Sequence, residues 1–140
     1  MDAMSFFDAV DDARTLAEVQ GITCEMGDAI AALAEAELEA GRPDTARAIL
    51  EGLVVTNHLD AGAWALLSRA HRRLRQPLAA RFCAEVAAKL APGDPVVRLA
   101  RAESLLAVAE RDAGRAELAR LVSDDRVGAR ARALLAALSG

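Results

Sequence analysis

The sequence predicts an all-α domain made of stacked helical hairpins, and three observations predict it. The first is composition: 54% of residues are hydrophobic but only 3% aromatic, with no tyrosine. A core of alanine, leucine and valine favours helices whose axes approach closely, and the residues that strands prefer are sparse. The second is a period of 34 residues. Ala34, Ser68 and Ala102 fall in step and are all small, as are Ala46, Ala80 and Gly114, while Gly41, Arg75 and Ala109 each follow the last turn of a helical pattern. A fixed period of this length marks a repeated supersecondary unit that buries its apolar face against its neighbours. The third is capping and turn chemistry at the unit boundaries. With 140 residues, the chain can bury a core without disulfides or metal.

Residues 1–26 hold an amino-terminal helix, roughly Ser5 to Val19, with Phe6, Val10 and Leu16 near one face. Residues 27–60 form the first hairpin: Asp28 opens it, and in the GRPD turn Gly41 stops one helix and Asp44 caps the next. Residues 61–94 form the second. Asp60 caps a helix running through Trp64 to about Arg75, Pro77 suits the first turn of its partner, and Pro92 with Gly93 closes it. Residues 95–122 form the third, opened by Asp94 and Pro95. Residues 123–140 make a capping helix, VGARARALLAAL, begun by Ser123, Asp124 or Asp125. Eight helices are predicted. Larger apolar positions repeat less strictly: Leu33 and Leu67 match but Arg101 breaks the series, Leu50 and Leu118 flank Ala84, and Leu53 and Leu121 flank Ala87.

Few chemistries fit these residues. Cys24 and Cys83 stand alone in alanine-rich stretches and read as buried free thiols in a reducing compartment. His58 at a helix junction and His71 at a core-facing position read as packing or capping residues. Glu35, Glu37 and Glu39 point to different helix faces and read as a solvated acidic face, not a catalytic pair. No phosphate loop, zinc spacing or nucleophile elbow is present, so no enzyme, metal or cofactor is expected. The first 19 residues carry acids where a signal peptide needs positive charge, and no apolar run is long enough to span a bilayer, which predicts a cytoplasmic protein with no membrane contact. Net charge is −4, but residues 1–60 hold 13 acids against 3 bases and residues 61–140 hold 8 acids against 14 bases. Such a division can steer a charged partner. Arg69, Arg72, Arg73 and Arg75 form the densest basic cluster. In an acidic chain without aromatics for base stacking it predicts a protein partner and no nucleic acid.

Counted from Ala61, the second unit resembles a tetratricopeptide repeat: Trp64, Leu67, Ser68, Ala80, Ala87 and Pro92 match the family's pattern, with His71 in place of a tyrosine and Arg75 in place of a glycine. The resemblance covers about residues 27–128 and implies three hairpins stacked as a right-handed superhelix, whose first helices line a concave groove suited to an extended or helical peptide. Carried across, the family's groove positions are Asp28, Ala31, Glu35 and Leu38, then Gly62, Ala65, Arg69 and Arg72, then Val96, Leu99, Glu103 and Leu106. Family members that grip chaperone tails use lysine and asparagine where this chain has Ala31 and Glu35, which disfavours that activity. The stretches NHLDAGAW (57–64) and DPVVRLARAESLL (94–106), the latter with Pro95, Ala102, Glu103, Leu105 and Leu106, are similar to the class II chaperones of type III secretion translocators. That resemblance implies a protein client, a secreted translocator kept soluble by holding an extended segment in the groove, and a homodimer through the amino-terminal helix. The chain departs from that family in its poverty of aromatics.

Two other readings remain open on the residues alone. One is an assembly scaffold or regulatory adaptor working through its dimer interface or convex face. The other is a regulator acting through the arginine patch.

Overall fold

The computed structural model describes Thr15, Glu18, Gly21 and residues 23–139. Of the amino-terminal helix expected over Ser5–Val19, only Thr15 and Glu18 are described; Phe6, Val10 and Leu16 lie outside the described residues. Among the described residues there are seven helices and no strand: α1 (Cys24–Glu39), α2 (Pro43–Thr56), α3 (Ala61–Arg73), α4 (Pro77–Leu90), α5 (Pro95–Ala107), α6 (Arg111–Ala119) and α7 (Gly128–Ser139).

Capping decides most of the starts. The Asp60 side chain accepts the N–H of Ala63 at 3.0 Å, and that of Asp94 accepts the N–H of Val96 at 2.9 Å. Pro43, Pro77 and Pro95 occupy first helical turns, where no backbone donor is needed. Three boundaries differ from the sequence expectation. The first helix begins before Asp28, because the Thr23 hydroxyl accepts the N–H of Met26 at 3.2 Å. Asp44 sits inside the first turn of α2, where its charge favours the helix dipole without capping it. Asp124 takes the N–H groups of Arg126 and Val127, holding a turn that delays α7 to Gly128.

The three hairpin turns close identically. Gly41, Arg75 and Ala109 have φ of 80°, 58° and 65°. Each donates its N–H to Leu38, Arg72 or Leu106, and the next residue donates to Glu37, His71 or Leu105. This pair of bonds is the Schellman closure, which satisfies two carbonyls at a helix end and needs a left-handed residue at its turn. The 34-residue period therefore marks a backbone conformation, and two of its three holders are not glycine.

The repeated small residues lie where the two helices of a hairpin touch. Ala34, Ala46, Ala80 and Ala102 are fully buried and Ser68 nearly so. The Ser68 hydroxyl donates to the Ala80 carbonyl at 2.7 Å. A Cβ on Gly114 would stand 3.3 Å from the Ala102 carbonyl and 2.7 Å from Leu106 Cδ2. The core runs as three clusters along the stack. Leu38, Leu50, Leu53 and Leu67 fill the first, Ala65, Ala87, Val97 and Ala100 the second, and Leu118, Leu121, Val127 and Ala131 the third. Trp64 packs against both the first and the second, and its indole N–H donates to the His58 carbonyl at 2.9 Å.

Two apolar expectations need correction. Leu33 is exposed, so its match with the buried Leu67 is one of spacing and not of environment. Cys24 is exposed at the start of α1; Cys83 is the buried free thiol. Arg101 breaks the apolar series for a structural reason: it bridges Glu85 of α4 at 2.7 Å and Glu117 of α6 at 3.7 Å, tying the second hairpin to the third.

Candidate groove

Each hairpin packs on the next, and α3 also contacts α1 and α5 directly. The first helices therefore form one layer, and a cleft of about 580 Å³ opens along it. Of the twelve groove residues expected from sequence, the structure brings eleven to this cleft: Asp28, Ala31, Glu35 and Leu38 from α1, Gly62, Ala65, Arg69 and Arg72 from α3, and Val96, Leu99 and Glu103 from α5. Leu106 is the exception. It packs into the third core cluster, over the bare Cα of Gly114. Among the described residues α7 packs on α6 beyond the third hairpin, and Leu106 is directed against Gly114 of α6.

The lining is a mixture of small apolar floor and charged walls. Leu38 and Ala65 are buried, while Ala31, Val96 and Leu99 are half-buried. The acids and arginines pair across hairpins. Arg69 lies 3.5 Å from Glu35. Arg72 sits against the Glu103 carboxylate, which is only 6% exposed, and Arg130 approaches the same group at 3.8 Å. Burial pushes the Arg72 guanidinium below its ordinary range; the Glu103 charge opposes that shift, and Arg130, Arg69 and Arg73 add to it. Arg72 remains a cation, held in place by Glu103. Glu35 and Glu39 are exposed, as expected of a solvated acidic face, with Glu35 paired to Arg69 and Glu37 to Arg42.

Sequence reasoning missed Arg126 and Arg130, which enter the cleft from the start of α7, as well as Asp60, Ala63, Leu66, Arg73 and Ala100. A signal was available for Arg130. It falls 34 residues after Val96, so α7 stands in the repeat at the place of a first helix, and Ala131 is buried as Val97 and Ala63 are. Both histidines lie outside the cleft lining: His58 supplies its carbonyl to Trp64, and the His71 ring contacts the Gln76 side chain at 2.7 Å. Among the described residues there is no group of three or more side chains suited to a metal, and no helix long and apolar enough to cross a membrane.

No protein-family model matches the chain, and no curated protein is similar to it in sequence. Solved structures are similar in fold. The type III secretion translocator chaperone SycD of Yersinia enterocolitica superposes with a TM-score of 0.75 at 20% identity, covering 89% of this chain and 98% of that one. A type III secretion complex from Aeromonas hydrophila gives 0.76 at 21%, covering 96% and 95%. PcrH in complex with the chaperone-binding region of PopD gives 0.69 at 22%, covering 85% and 95%. At these identities the likeness shows a common fold, the all-helical tetratricopeptide-like stack.

Proposed function

We propose that this chain is a non-enzymatic, cytoplasmic chaperone of the type III secretion translocator kind, holding an extended segment of a hydrophobic client in the cleft between α1, α3, α5 and α7. The observation that carries this reading is the cleft itself: a continuous concave surface along the first helices, with half-buried apolar places between charged walls. Extended peptides favour such surfaces, because small residues leave room for side chains while the walls fix orientation. The shared fold supports it, since SycD is named as a type III secretion chaperone in complex with a peptide of the translocator YopD, and PcrH is found in complexes with the chaperone-binding regions of PopD and PopB. A homodimer through the amino-terminal segment belongs to the same proposal.

Affinity capture from the source organism's lysate tests it, with the intact chain beside a variant carrying Arg69→Glu and Leu99→Asp. The expected result is one hydrophobic, secreted client retained by the intact protein and lost by the variant, with helicity by circular dichroism unchanged. Retention of the same proteins by both forms overturns the groove.

One observation favours a second reading. Leu78 and Phe82, one turn apart on α4, are 79% and 64% exposed. If a scaffold or adaptor uses this outer face, Leu78→Ser with Phe82→Ser removes its partners while the groove variant keeps them.

A further inference from the structure

The cleft is charged asymmetrically, and one end holds more arginine than it can neutralise. Arg72, Arg73, Arg126 and Arg130 line it where α7 closes the stack, and the one acidic residue lining that end is Glu103. Glu103 is engaged by Arg72 and Arg130; Arg73 and Arg126 have no ion-pair partner among the described residues. Asp28 and Asp60, at the amino-terminal ends of α1 and α3, lie toward the other end, and the Arg69–Glu35 pair bridges α3 and α1 between the two.

Two further features mark the arginine end. Arg130 is in the first turn of α7 with no acid in that turn, and of the two acids just ahead of it Asp124 is taken up by the backbone N–H groups of Arg126 and Val127. A helix amino terminus is already positive, so arginines there oppose the dipole where acids would stabilise it. Arg72 is also half-buried beside three other guanidinium groups. An anion placed among them relieves both strains.

We propose that the α7 end of the cleft is a carboxylate subsite, in which Arg73, Arg126 and Arg130 receive one aspartate or glutamate side chain of the bound segment while its apolar residues lie over Ala31, Ala65, Val96 and Leu99. This rests on the groove reading and adds polarity to it: the acidic end of the segment lies toward α7 and a basic residue is favoured over Asp28 and Asp60. A polyanion such as nucleic acid fits poorly, because three carboxylates repel its continuation along the cleft. A guanidinium fork matches a single carboxylate in charge and geometry.

Selection from a random twelve-residue peptide library displayed on phage tests the subsite without prior choice of ligand. The intact chain is expected to select apolar peptides with one acidic residue at a fixed distance from the apolar run, and replacing that acid by its amide should weaken binding about tenfold, equivalent to ~1.4 kcal/mol. Selection on Arg126→Glu with Arg130→Glu should return peptides with a base at that place; Arg126→Gln with Arg130→Gln serves if the reversed variant does not fold, and should return no charge preference. Apolar peptides selected without any acid overturn the subsite and leave the groove standing. Failure to select any peptide whose binding Leu99→Asp abolishes overturns the groove, and the subsite with it.

Discussion

Ala109→Gly should stabilise this protein, although the same change stabilises few helical proteins. Ala109 has φ of 65°, and its methyl group is exposed. The left-handed conformation costs a non-glycine residue about 1–2 kcal/mol, and glycine costs about 0.5–1 kcal/mol in unfolded-chain entropy, so the net gain is about 0.5–1 kcal/mol. No packing is lost to reduce it. The control is Ala36→Gly, an exposed position still inside α1, in its carboxy-terminal turn, where glycine is about 0.8–1 kcal/mol worse than alanine. Guanidinium unfolding followed by circular dichroism at 222 nm reads both. The midpoint should rise for Ala109→Gly and fall for Ala36→Gly with the denaturant slope unchanged, and melting temperatures should separate by ~3 °C per kcal/mol at this chain length. A midpoint lowered alike by both substitutions would refute the left-handed closure. Arg75→Gly should gain less, because it also removes a cation from the carboxy-terminal end of α3.

Other expectations follow from the buried charges and thiol. Glu103→Ala leaves Arg72 among three like charges and should cost about 3 kcal/mol, as for one half of a buried pair; adding Arg72→Leu should recover most of it, and additive losses in the double variant would refute the coupling. Native protein should expose one thiol to a disulfide reagent at pH 8, that of Cys24, because burial, with the charge of Glu51 beside it, pushes Cys83 up to about 12. Because the folded state raises the Cys83 pKa, its contribution to stability is complete below the ordinary thiol range and is lost as pH rises from about 9 towards 12; denaturant midpoints of Cys83→Ala that fall as steeply over that range as those of the intact chain would count against it.

The hairpins were legible because two kinds of residue carry them. Small side chains stand where helices touch, and Asp60, Asp94 and the prolines stand where helices begin. The left-handed closures at Arg75 and Ala109 were legible only as spacing, since neither residue type favours that backbone. The expected positions along α1 and α3 all line the cleft, whereas Leu106 on α5 packs instead against Gly114 of α6. Arg126 escaped because no earlier unit carries a groove residue at its place. The ion pair of Glu35 was missed for a different reason. Its partner Arg69 is exactly one period away, and a helix-by-helix view of charge sees only neighbours along the same turn.

Trp64 has a consequence for how unfolding is observed. It touches two of the three core clusters but not the third, which is built from α5, α6 and α7. Indole fluorescence therefore reports on the first two hairpins and on the α5 face packed against them, but not on α6 and α7, whereas circular dichroism sums all helices. Stacked units are held by their immediate neighbours alone, so the carboxy-terminal end can open as a separate cooperative segment while the fluorescence stays silent. Two probes with different midpoints would then measure the coupling between one unit and the next, and a carboxylate bound between Arg73 and α7 would draw the two curves together.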